Sequence, residues 1–157
     1  MNQQVSYVSF ASASDTAVPY PLLTTDNQQP TPMFRVMELF SHLQHHLIPL
    51  EVQRDPVSVY ATQDSSHQIV SILLINKSAT PQLAQIDGQP NGFGFTSWNS
   101  VSVNLSSYSM AVVTLHANSN AEAYSFIAPN NNDASTPQLQ HTVCGNKTDP
   151  LNNTIPC

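Results

Sequence analysis

From Val57 onward, apolar and polar residues repeat with a period of two. The runs are VSVYAT (57–62), QIVSILLIN (68–76), QLAQID (82–87), SVSVNL (100–105), YSMAVVTLHA (108–117) and AEAYSFI (121–127), separated by short polar connections. In SVSVNL, Val101, Val103 and Leu105 share one face while Ser102 and Asn104 share the other, the pattern of a half-buried antiparallel strand. SILLIN and MAVVTL are apolar on both faces and are expected at the centre of a sheet. Several short strands with turns every ten residues or so are buried most economically as an antiparallel two-sheet β-sandwich, a mainly β fold.

Ahead of the strands the period changes. VSYVSFA (5–11) reads as a strand and runs into an irregular, Pro-containing stretch. Thr31 followed by Pro32 is a helix start, because the Thr hydroxyl can cap free amides and proline suits the first helical position. The spacing predicts a helix to about His46, with Met33, Met37, Phe40, Leu43 and Leu47 forming an apolar stripe that must pack on something. After Ala128 the chain is rich in Asn, Pro and Thr and lacks periodic apolar positions, which reads as a tail or an interaction arm. Three regions follow: 1–50 with strand, loop and amphipathic helix, 51–127 as the sandwich, and 128–157 as the tail.

Composition narrows the setting. Charged residues make up only 9% of the 157, and uncharged polar residues keep the surface wet, which suggests an extracellular or cell-surface location. The basic side chains are Arg35, Arg54, Lys77 and Lys147, too few and too scattered to neutralise a run of phosphates, so nucleic acid is not an expected partner. No apolar run approaches the ~18 residues that cross a bilayer. The first residues lack the cationic start and unbroken apolar run of a signal peptide, so secretion is expected to depend on a longer precursor or on a native start other than Met1. Cys144 and Cys157 flank a Gly-, Asn- and Pro-containing loop that lets them meet as a disulfide in an oxidising compartment; the alternative is two free thiols on a tail. Sequons stand at Asn76, Asn104, Asn146 and Asn152. A chain with 14 Asn and this much Ser and Thr produces such triplets by chance in similar number, and Asn104, on the outward face of its strand, is the preferred glycan carrier.

The run PTPMFRVMELFSHLQHHLIPLEVQRDPVSVYATQDSSHQIVSILLINKSATPQ, followed by SVSVNLSSYSMAVVTL, resembles the junction in secreted (β/α)8 glycoside hydrolases of the arabinofuranosidase, xylosidase and endoglucanase-like families. There a Pro-led last barrel helix leads into a C-terminal β-sandwich. The resemblance covers roughly Pro30 to Leu115 and is specific for architecture rather than for substrate. It implies a non-catalytic accessory module that stabilises a barrel of the same precursor. The two carboxylates ~5 Å apart that retaining hydrolysis needs sit on barrel strands absent from this chain. The glutamates Glu38, Glu51 and Glu122 do not match them, so no catalytic residue is carried over; Tyr20 or Asp26 would at most reach a cleft rim.

Two other constellations carry chemistry of their own. Phe93, Phe95 and Trp98, with Tyr108 nearby, could offer flat faces to a sugar ring, as in a carbohydrate-binding module taking a polysaccharide, or could cap the end of the core. His42, His45 and His46 have a spacing that could hold a metal on a helix, but no Glu or Cys accompanies them there. They read as a polar edge, His67 and His116 read as isolated surface residues, and neither a metal nor another cofactor is expected. A structural subunit whose ends reach into neighbouring subunits is the remaining expectation, because sheet edges accept strands from other chains.

Overall fold

In the computed structural model, the structure describes residues 21–25, 27–50, 55–87, 100–117, 121–127, 138–144 and 154–157. VSYVSFA, Phe93, Phe95, Trp98, Asn146 and Asn152 lie outside them. The first described element is a helix, α1 (Pro32–Phe40). Thr31 caps it as expected, its Oγ1 accepting from the Phe34 amide at 3.4 Å, with proline in the first helical position. The strands are β1 (His46–Ile48), β2 (Val57–Gln63), β3 (Ile69–Asn76), β4 (Gln82–Asp87), β5 (Ser100–Leu105), β6 (Ser109–His116), β7 (Ala121–Ile127), β8 (Gln140–Val143) and β9 (Thr154–Pro156).

These strands form two sheets, one of six strands in the order β1-β2-β3-β6-β7-β8 and one of three in the order β4-β5-β9. The mainly β, two-sheet architecture agrees with the period-two pattern. Every pairing is antiparallel except β5 with β9, which is parallel. The strands β3 and β6 occupy the centre of the larger sheet, where their double-sided apolar pattern belongs.

Alternation divides the larger sheet into two buried faces. Val70, Ile72 and Leu74 of β3, with Ala111, Val113 and Leu115 of β6 and Ala121 and Ala123 of β7, face Val101, Val103 and Leu105 of the smaller sheet and make the inter-sheet core. Leu73, Val112 and Phe126 point to the opposite face, where they bury Leu39 of α1 completely. A single layer of strands is therefore covered on both sides, by a sheet on one and by a helix on the other.

Three features depart from the sequence pattern. The helix ends at Phe40, six residues before the expected stop. Ser41 closes it, its hydroxyl donating to the Glu38 carbonyl at 2.7 Å, and His42 and Leu43 follow with tighter i→i+3 bonds. The chain then extends into β1, so His46 and Leu47 are strand residues. The apolar stripe is also displaced: the fully buried side chain of α1 is Leu39, whereas Met37 and Phe40 are 39% and 43% exposed and Leu47 is exposed on β1. Finally, the Asn-rich C-terminal segment supplies one strand to each sheet, β8 to the larger and β9 to the smaller.

Cys144 and Cys157 are bonded to each other. Cys144 follows β8 and its amide donates to Ala121 at 2.9 Å; Cys157 follows β9 and its amide donates to Ser102 at 2.8 Å. The bridge thus clips the rims of the two sheets together, with Cys144 buried in the inter-sheet core.

Candidate functional site: the helix-covered face

The outer face of the larger sheet carries the chemistry, and strand register shows how it is built. One cross-strand row runs Leu47, Thr62, Ser71, Thr114, Glu122 and Val143 from β1 to β8. The adjacent row runs Tyr60, Leu73, Val112, Tyr124 and His141. Leu39 and Leu43 lie against the second row's apolar centre, leaving a polar strip beside the helix.

The strip is knitted by side chains from five strands and the helix exit. Ser71 is buried, and its hydroxyl donates to the His42 carbonyl at 2.8 Å and lies 3.3 Å from that of Thr114. The Gln44 amide donates to Thr62 Oγ1 at 2.9 Å. Further along, Glu122 receives three groups. His141 Nε2 lies 2.9 Å from its Oε2, His116 Nε2 lies 3.4 Å from its Oε1, and the Tyr124 hydroxyl donates to Oε2 at 3.3 Å. Tyr124 is itself sandwiched, with His42 on one face at 3.6 Å between ring centroids and His141 on the other at 4.5 Å.

The electrostatics follow from this packing. Partial burial pushes the Glu122 carboxyl up, but the bonds from His141 and His116 outweigh it and hold the group below its ordinary range. Burial, reinforced by the charge of Glu122 and the bond to it, pushes the Tyr124 hydroxyl up.

Sequence reasoning read His116 as an isolated surface residue, whereas it is half-buried beside Glu122. His42 was expected on a solvent-facing helix edge; it lies beyond the helix end, stacked on Tyr124, while His45 and His46 are exposed. No group of three or more His, Cys, Asp or Glu suited to a metal ion occurs among the described residues.

Of the sugar-stacking candidates, Tyr108 is 57% exposed, in the β5–β6 turn with φ 49°, a left-handed conformation unusual for an aromatic residue. Asn104 is exposed on β5. Asn76 has a different use, because its side chain is buried at the end of β3 and all its hydrogen-bonding capacity is spent internally. Nδ2 donates to the carbonyls of Thr80 (2.9 Å) and Ser106 (2.8 Å), and Oδ1 accepts from the Ser78 amide (3.0 Å) and hydroxyl (2.7 Å). The sequon there coincides with an internal turn anchor that leaves no free amide hydrogen for a glycan.

The carboxylates Glu38, Asp55 and Asp64 also have structural partners. Glu38 pairs with Arg35 at 2.6 Å and Asp55 with Lys77 at 2.9 Å, while Asp64 accepts from the Gln68 and Ile69 amides, each at 2.8 Å. No helix of the described residues is long and apolar enough to cross a membrane. Compared with protein-family models, curated proteins and solved structures, the chain matches none.

Proposed function

We propose that this chain is the non-catalytic accessory β-sandwich of an extracellular glycoside hydrolase, and that it stabilises the catalytic barrel of the same precursor. The observation that carries the reading is the two-sided character of α1. The helix buries Leu39 in the sandwich while turning Met37 and Phe40 outward, as an element shared between two packed bodies would. The inter-sheet disulfide supports an oxidising, extracellular setting.

The test is the intact mass and N-terminal sequence of the native protein. A chain extending several hundred residues upstream through a barrel with two glutamates supports the proposal. A mature protein beginning near Met1 overturns it.

One observation favours a second reading, that of a self-assembling extracellular subunit. All four residues of the edge strand β8 are exposed, and Val143 is 73% exposed, so β8 offers a rim to which a strand from another chain could add. Sedimentation velocity on the purified chain tests it: a defined oligomer supports assembly, and a monomer at all concentrations removes it.

A further inference from the structure

The polar end of the helix-covered face gathers one or two ionisable side chains from each of four elements. His42 comes from the helix exit, His116 from β6, Glu122 and Tyr124 from β7, and His141 from β8. All of them meet at one carboxylate or at the phenol ring beside it. The arrangement bears most directly on β8, a four-residue edge strand with no described strand on its far side. The Cys144–Cys157 bridge anchors the C-terminal end of β8, and along the exposed strand before it, where opening costs little free energy, the side-chain tie at His141 bears on how often the strand opens.

We propose that Glu122, His116, His141, Tyr124 and His42 form a proton-operated clamp that holds edge strand β8 to the sheet most tightly in mildly acidic solution. A neutral imidazole donates one hydrogen to the carboxylate, and acidification adds a proton to the ring. The Nε2–H of His141 then bonds to Glu122 as a cation to an anion, a shorter and stronger contact. The same charge also lies over the face of Tyr124, a favourable cation–π position.

His116 competes for the carboxylate from the other side, and His42 places a third imidazole across the phenol ring. Each further proton therefore meets a like charge, and the clamp is tightest after the first uptake. At still lower pH Glu122 itself takes a proton and stops serving as a double acceptor. Its carboxyl is held below the ordinary range, which delays this opening. The signs give a window, with tightening on the first proton uptake and release when the carboxyl itself takes a proton.

Amide hydrogen exchange across Gln140–Val143 in the full chain, corrected for intrinsic rates and referenced to β3, reads the clamp directly. Protection of β8 is expected to rise about threefold between pH 8 and pH 5 and to fall again on further acidification. Glu122→Gln keeps the shape and an acceptor oxygen but removes the charge, and is expected to flatten the profile. A flat wild-type profile, or an unchanged one in Glu122→Gln, overturns the proposal. The carboxyl carbon resonance of Glu122 in the unaltered protein gives a readout independent of any variant. It is expected to shift between pH 8 and pH 5 together with β8 protection, and its failure to move there also overturns the proposal.

Discussion

Replacing Asn76 tests whether this buried amide is the anchor its geometry makes it. It is 2% exposed, and its four hydrogen bonds tie the end of β3 to the 77–80 turn and to Ser106 of the β5–β6 turn. In Asn76→Ala, the Ser78 amide loses its acceptor, and the Thr80 and Ser106 carbonyls each lose one of two donors, Ser106 keeping the Ser109 hydroxyl at 2.7 Å. The Ser78 hydroxyl keeps a second acceptor in the Thr80 carbonyl at 2.9 Å. One orphaned amide and two carbonyls that each lose one of two donors give a loss of about 2 kcal/mol. Asn76→Asp preserves shape and both acceptances but turns the donations into an anion facing two carbonyl oxygens, so at pH 7 it is expected to cost at least as much. Burial and the facing carbonyls raise that aspartate's folded value above its unfolded one, so the variant regains stability as pH falls and its carboxyl acquires a proton to donate. Urea unfolding monitored by far-UV circular dichroism at pH 7 and pH 4 reads both effects, and mass spectrometry of protein from a glycosylating secretory host reads occupancy. A loss under about 1 kcal/mol for Asn76→Ala, or a glycan on Asn76 in the folded protein, would refute the reasoning.

Leu39→Ala empties a fully buried site between Leu73, Val112 and Phe126, and is expected to lower unfolding free energy by about 3 kcal/mol, whereas Phe40→Ala, on the exposed side, should cost under about 1 kcal/mol in the same urea titration. Replacing both Cys144 and Cys157 with Ser opens a bridge of sequence separation 13 and should cost about 3 kcal/mol, read as a lower urea midpoint that reduction of the wild-type protein reproduces. Asp64, held at about 2 by the Ser66 hydroxyl and then by the Ile69, Gln68 and Ser66 amides, has a folded value below its unfolded one. Its contribution is therefore complete above about pH 4 and is lost as pH falls through about 2. The midpoint difference between wild type and Asp64→Asn should shrink over that interval, and a constant difference would contradict the loop geometry.

The six longer strands were legible because each has enough residues for alternation to register, and β3 and β6 were placed centrally by being apolar on both faces. The short strands β1, β8 and β9 were not. Three or four residues cannot display a period, and QHTV owes its strand conformation to β7, a partner some fifteen residues or more away in sequence. The helix start was legible because Thr31 and Pro32 act locally. Its end was not, since Ser41–Gln44 contains neither Gly nor Pro. Much the same holds for the site. Glu122 and Tyr124 alternate with Ala121 and Ala123, which assigns them to the outer face, but their meeting with His141 depends on the β7–β8 register and with His116 on the β6–β7 register. The signal available in the sequence was the presence of polar and aromatic residues opposite a row of alanines.

The polar strip explains why the helix stops where it does. Continued past Phe40, α1 would satisfy its own carbonyls but would carry Leu43 away from the cluster around Phe126 and leave Ser71 and Thr114 facing an apolar helix flank. Both hydroxyls are buried in otherwise apolar central strands, where an unpaired hydroxyl is costly. Unwinding at Ser41 answers both demands. The freed His42 carbonyl accepts the Ser71 hydroxyl, the freed Gln44 amide finds Thr62, and the His42 ring settles on Tyr124. The same turn delivers the chain to β2 as β1, so one row of hydroxyls sets the helix length, the sixth strand and the stack beside Glu122. An apolar face that continued across these positions would hold a longer helix and bury it more fully. The hydroxyl row instead limits the helix to nine residues, with Met37 and Phe40 partly exposed on the side away from Leu39.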